Sequence, residues 1–386
     1  METQNTPLLI GRNNPNILNN NYYWKFLIII GIYYLLPSLQ FVIFQTHDTN
    51  VTCYYNLKCK KDLGNIPAFN NIISNIFYIL FGIIFIIIVK IGEQSNKIEY
   101  GLQNDYSLYY SLGLVLFLEG ICSGLYHTCP SNLNFQFDTT FMFIGTVLMF
   151  LTLYHKRHPD GIPCPMKTYL FLSLVVFINI LPLSGVSTGL EAWYWAIIYI
   201  LTSYLMIFGS IYIYYGKEYD LDIKSLKLIC HKIRNLKRPD IPKFLLIIIL
   251  NTFTLSMLIY GGVIKPNFTL WMLSIFIVNM VIYFVYYLAN KIKHNEKISK
   301  KIWIWLVIDI IILSLSLYFF ELSSTDSTLS PEQSNDLNKD CVLFSYFDYH
   351  DIWHILSSTG LFIFMNIVYC LDQHLNSITY EEIVVF

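Results

Sequence analysis

Five polar side chains in this sequence would make a hydrolytic metal centre if the fold brings them together. Ser123 and His127 stand four apart in CSGLYH, His350 and His354 stand four apart in HDIWH, and Asp138 closes FQFD. Residues four apart share one face of a helix, so each pair presents its side chains in register. All five flank long apolar runs, where imidazole and carboxylate groups are costly and usually mark function. Three imidazoles, a carboxylate and a hydroxyl suit a catalytic zinc site, in which three protein ligands leave one position for water. On that reading His127, His350 and His354 are the metal ligands. Asp138 is the group that takes a proton from water, and Ser123 hydrogen-bonds that water or a developing oxyanion. Glu119, one further turn down from Ser123, and Asp351 are candidates to hold these groups in place. HDIWH also has the spacing of the HExxH of zinc peptidases. Its Asp reaches less far than Glu, however, and no third ligand of that class follows.

The elements that must position these residues are membrane-spanning helices. Apolar residues make up 55% of the chain, charged residues 13%, and the mean hydropathy is +0.50. Soluble domains carry about 25% charge. Ten apolar stretches are long enough to cross a bilayer as helices: 25–45, 69–90, 107–127, 138–155, 168–184, 191–215, 243–263, 268–290, 302–320 and 350–372. The expected fold is an all-α, multi-pass bundle over 25–375, between a polar tail at 1–24 and a short C-terminal tail at 376–386. The first tail has no apolar core, so no cleavable leader is expected and the first helix serves as the insertion signal.

Charge sets the orientation. Eighteen of the 25 Lys and Arg lie in four loops, 90–106, 155–167, 216–243 and 290–301, and Arg12 and Lys25 add two more near the N-terminus. The alternate loops hold only Lys58, Lys60, Lys61, Lys265 and Lys339. By the positive-inside rule both termini face the cytoplasm and the five site residues share the outer face. Cys53, Cys59, Cys129 and Cys341 fall on that face too. They suggest two disulfides, with three pairings open. Cys164 and Cys230 fall on the reducing side. Asn50-Val51-Thr52 is an outer-face glycosylation sequon.

Within 216–243, apolar residues at helical spacing interleave with Lys and Arg. This reads equally as an amphipathic helix on the anionic inner leaflet or as an ordinary cytoplasmic loop. The outer segment 321–349 is acidic and reads as the most flexible part of the chain. Asp309, midway along a span, reads as an interhelical hydrogen-bonding group. Tyr380-Glu381-Glu382-Ile383 has the pattern of a tyrosine-based sorting signal.

CYYNLKC, FNNIISN, YHTCPSNLNFQFDTTFM, YHKRHPD and HDIWHILSS resemble the systemic-RNAi-defective (SID) transmembrane family. The SxxxH, D and HxxxH arrangement is also similar to the alkaline ceramidases and adiponectin receptors. The resemblance runs from about Cys53 to the C-terminus. It implies zinc ligation by His127, His350 and His354, with Asp138 and Ser123 holding water. It also implies roles in double-stranded RNA uptake, association with cholesterol, and residence in the plasma membrane or an endolysosomal membrane. The family's large outer β-rich region and one further helix are not expected within this sequence.

Two function classes follow from the residues. The first is a zinc-dependent lipid hydrolase, with a ceramide-like amide or a phospholipid ester as substrate. Every site residue has a role in it. The second is a double-stranded RNA transporter or uptake receptor with cholesterol as a partner; a homo-oligomer is compatible with either class. Nucleic-acid binding leans on Lys and Arg, and the outer face has five, so electrostatics favour the first class. A non-catalytic zinc site in a sterol-binding protein is the third alternative.

Overall fold

The computed structural model describes residues 22–47, 52–95, 102, 106–132, 134–158, 164–183, 191–215, 240–322, 324–378 and 382–386. Among them the protein is an all-helical membrane bundle. Its helices are α1 (Tyr23–His47), α2 (Phe69–Ile73), α3 (Ile76–Ser95), α4 (Tyr106–Tyr126), α5 (Phe135–Arg157), α6 (Pro165–Leu183), α7 (Glu191–Tyr215), α8 (Ile241–Ile264), α9 (Phe268–Lys293), α10 (Lys300–Glu321), α11 (Pro331–Asp336) and α12 (Tyr349–Cys370). Each of the ten expected stretches falls on described helix, with a turn at Ser74 and Asn75 dividing 69–90 into α2 and α3. Eight helices are long and apolar enough to cross a membrane, α2 and α3 counting as one. The apolar runs described in α6 and α7 are shorter, 165–179 and 195–211. There are no strands among the described residues, only the isolated bridges Leu63 to Ile66 and Leu343 to Phe347. The Asn50 sequon, the basic stretch 216–239, Cys230 and Tyr380 lie outside the described residues.

Helices α4 and α5 form the enclosed centre, and α1 and α10 are the most peripheral spans. α3 and α4 pack closest of all, because glycine faces backbone across their contact. A Cβ on Gly82 would lie 2.6 Å from the Gly113 carbonyl oxygen. Small residues at such a crossing let two backbones approach where apolar burial alone gives no drive within lipid. The crossing fixes the ends of α3 and α4 beside one another, which matters for the site.

The two disulfides are Cys53–Cys129 and Cys59–Cys341. One joins the segment before α2 to the loop after α4, and the other joins it to the segment before α12. The acidic segment before α12, expected to be flexible, is instead folded around α11. Asn338 donates to the Ser324 carbonyl at 3.0 Å and accepts from the Leu57 backbone amide at 2.7 Å. Asn56 donates to Asp348 at 3.0 Å. Cys164 is free and exposed. Alkylation should therefore reach Cys164 without reduction but reach Cys53, Cys59, Cys129 and Cys341 only after it. Cys59→Ser with Cys341→Ser should cost about 2–5 kcal/mol, read as a lower melting temperature in detergent. Alkylation of Cys53, Cys59, Cys129 and Cys341 without reductant would contradict the pairing.

At the opposite end, Lys156, Arg157 and Lys291 are buried, although their loop positions suggested solvated charge. The Asp372 carboxylate accepts from Lys156 at 3.0 Å, Arg157 at 3.0 Å, Lys291 at 2.6 Å and the Tyr287 hydroxyl at 2.8 Å. Glu296 takes a bidentate pair from Arg157 at 2.8 and 2.6 Å, and Lys291 at 2.8 Å. The network ties α5 and α9 to the end of α12. Arg157 also donates to the Val384 carbonyl at 3.1 Å and lies 4.4 Å from the centre of the Phe386 ring. The C-terminal residues are thereby held against the bundle.

Between α5, α6, α7, α8 and α9 there is a cavity of about 300 Å³.

Candidate functional site

His127 follows the last turn of α4, and His350 and His354 occupy the first two turns of α12. Their ligand atoms all lie within 4.8 Å of one another. His127 Nε2 and His354 Nε2 are 3.3 Å apart. Two nitrogens at about 2.0–2.1 Å from a tetrahedral zinc ion are themselves about 3.3–3.4 Å apart. The three rings meet at tilted angles with centroids 4.5–5.1 Å apart, as arms around a common point do.

The histidine tautomer follows from a neighbour. Ser74 Oγ donates to the Asn71 carbonyl at 2.8 Å and so accepts from His354 Nδ1, also at 2.8 Å. That contact puts the proton on Nδ1 and leaves a lone pair on Nε2, the form a metal needs. His350 Nε2 is buried without a hydrogen-bond partner. Burial, and then the neighbouring His350, hold the His127 imidazole well below its usual range and therefore neutral.

Asp138, in the first turn of α5, and Ser123, near the end of α4, are both buried and adjacent. Ser123 faces the Asp138 carboxylate, but neither Ser123 Oγ nor Asp138 Oδ1 completes a well-formed hydrogen bond among the described residues. A buried polar atom without a partner is costly, so a water or a substrate oxygen between them and the histidines suits both. Asp138 lies outside the group of three whose nitrogens converge, which fits a proton acceptor better than a ligand. The structure therefore gathers all five residues at one end of the bundle. The donor set, three neutral imidazoles with one fixed by a hydroxyl, fits zinc.

Glu119 is buried next to Asp138, with Oε2 lacking a partner. Asp351 works differently. It closes a capping box with Asp348, the two backbone-to-carboxylate bonds both 3.0 Å long, and accepts from Asn70 at 2.9 Å. Its role is to fix the start of α12 against α2. Sequence reasoning missed Asn70, Ser74 and Tyr78 as supports. Tyr78 and Ser357 share a 2.5 Å hydrogen bond, and the Tyr78 ring stands edge-on to His354 at 6.3 Å. The signal was the run of Asn and Ser in FNNIISN at the mouth of an apolar span.

A family model described as dsRNA-gated channel SID-1 matches residues 10–386, which takes in every helix and all three histidines. The chain belongs to the SID-1 family. A human SID1 transmembrane family member 1 is 33% identical over 393 residues, covering 95% of this chain and 46% of the relative. Its rat counterpart is 34% identical over 398 residues, covering 95% and 47%. Cholesterol uptake protein 1 of Caenorhabditis elegans is 29% identical over 384 residues, covering 93% and 50%. This SID-1 family chain thus spans about half the length of the curated relatives it matches.

Proposed function

We propose that the chain is the membrane part of an uptake protein for double-stranded RNA, with a sterol as its lipid partner. The observation that carries this is the match of the RNA-channel family model across residues 10–386. The name of the nematode relative supports the sterol. The few outer cations weigh against tight RNA binding by this surface alone. Lys60 already pairs with Asp62, and Lys339 donates to the Leu322 carbonyl. Cells expressing the chain should accumulate labelled double-stranded RNA above vector controls; equal accumulation would refute the reading.

On this proposal the trihistidine centre, loaded with zinc, ties the outer ends of α4 and α12 together. A second reading, lipid hydrolysis, has its own observation: Ser123, one turn before His127 on α4, and the adjacent Asp138 carry buried atoms that lack a well-formed hydrogen bond among the described residues. Zinc bound there would act as a Lewis acid toward a substrate carbonyl. Asp138 would take the proton of the attacking water and pass it to the leaving group. Ser123 would donate to the developing oxyanion, and the buried setting would strengthen both contacts. Asp138→Asn should keep the metal and the fold but lower any turnover of a ceramide or phospholipid by about 10²–10⁴-fold. Unchanged turnover in that variant would remove Asp138 from the chemistry. Absence of turnover in the parent protein, with uptake retained, would leave the zinc site structural.

A further inference from the structure

We infer that the cavity between α5, α6, α7, α8 and α9 is a sterol site, separate from the trihistidine centre. It rests on the sterol part of the reading above. Among the described residues no Lys, Arg, Asp, Glu or His lines it, so a phosphorylated or zwitterionic headgroup would enter without a counter-charge. The lining is apolar except for hydroxyl and amide groups gathered chiefly on α7, α8 and α9.

Those polar groups have a specific arrangement. Asn251 donates to Ser210 Oγ at 2.9 Å, and Ser210 donates onward to the Met206 carbonyl at 2.5 Å. One turn along α8, Thr254 pairs with Asn279, whose amide also donates to the Ile275 carbonyl at 2.8 Å. These bonds use one of the two Asn251 amide protons and the Ser210 proton. The Asn251 carbonyl oxygen, which has no partner among the described residues, is left as an acceptor. An apolar space with one acceptor level fits a rigid hydrocarbon bearing a single hydroxyl. An acyl chain would leave that level unused.

Depth sharpens the assignment. Asn251 lies near the middle of the 24-residue α8, and Asn279 near the middle of the 26-residue α9. Sterol hydroxyls ordinarily sit at headgroup level, so a sterol bonded here is withdrawn from its usual position, as a carried lipid would be. α7 meets the rest of the bundle mainly through α8, so the bilayer reaches the cavity from the side on which α7 lies.

Gly209, on the cavity wall, supplies the test. A Cβ there meets nothing within 4 Å. Gly209→Leu therefore starts into open space on the cavity wall and strengthens α7 by removing a helix glycine. The full chain is placed in phosphatidylcholine vesicles with a photoactivatable cholesterol. Label should map to peptides of α7, α8 and α9, unlabelled cholesterol should compete it away, and Gly209→Leu should lose it with the melting temperature unchanged or raised. Labelling that is unchanged in Gly209→Leu, or confined to lipid-facing α1 and α10, overturns the inference. So does labelling of the same peptides by a photoactivatable phosphatidylcholine that cholesterol fails to compete. Transfer of the same sterol between vesicles is read in parallel. Transfer without α7–α9 labelling refutes the cavity alone, whereas labelling without transfer refutes the uptake reading and leaves the site.

Discussion

Asp372→Ala should leave little folded protein in detergent extracts. The Asp372 carboxylate is the shared acceptor of Lys156, Arg157 and Lys291, each of them buried, and of the Tyr287 hydroxyl. Removing it leaves Lys156 without a carboxylate and Arg157 and Lys291 with Glu296 alone. Breaking one buried ion pair by deleting a partner costs about 3–5 kcal/mol, and the loss here touches three. Typical stabilities are about 5–15 kcal/mol, so the variant should sit at the edge of folding. Asp372→Asn keeps the shape and some hydrogen bonds but not the charge, and should fall between. The measurement is the melting temperature and the monodisperse fraction on size exclusion. A parent-like profile for Asp372→Ala would mean that water, not burial, surrounds the cluster.

His354→Ala should strip the metal. His354 Nε2 lies 3.3 Å from His127 Nε2, and Ser74 fixes its tautomer. Losing one of three ligands leaves two imidazoles, too few for a protein zinc site. Because metal binding free energy is also folding free energy, the end of α4 and the start of α12 should loosen as well. Hydrogen exchange should rise there but not in the cluster around Asp372. Ser74→Ala is the graded version: it removes only the orienting hydroxyl and should weaken the metal roughly 10–100-fold, read by chelator competition. Equal metal content in the parent and in His354→Ala would show that the histidines hold none.

The bundle and one end of it were legible in the sequence because each rests on local pattern. Apolar length gave the spans, and the i,i+4 pairs at 123/127 and 350/354 gave the histidine cluster. Cysteine placement left three pairings open, since the choice depends on how the segment before α2 lies across two loops. The Asp372 network was hidden for a different reason. Lys156, Arg157 and Lys291 look like ordinary positive-inside loop residues, and nothing local indicates that a carboxylate after α12 meets all three. Ser74 was equally hidden, because its contact with His354 spans 280 residues. The cavity depends on five helices at once and has no local signal beyond scattered Asn, Ser and Thr. Asp309, expected to hydrogen-bond between helices, is buried, but its Oδ1 has no hydrogen-bond partner among the described residues.

The most direct test of the central claim is RNA protection in reconstituted vesicles. The purified full chain is placed in phosphatidylcholine–cholesterol vesicles, labelled double-stranded RNA is added outside, and external RNA is digested. The account predicts nuclease-resistant RNA inside vesicles that hold the protein and none in empty vesicles. No protected RNA with the folded, zinc-loaded protein, together with turnover of a ceramide or phospholipid that Asp138→Asn abolishes, would contradict it and make the chain a membrane lipid hydrolase.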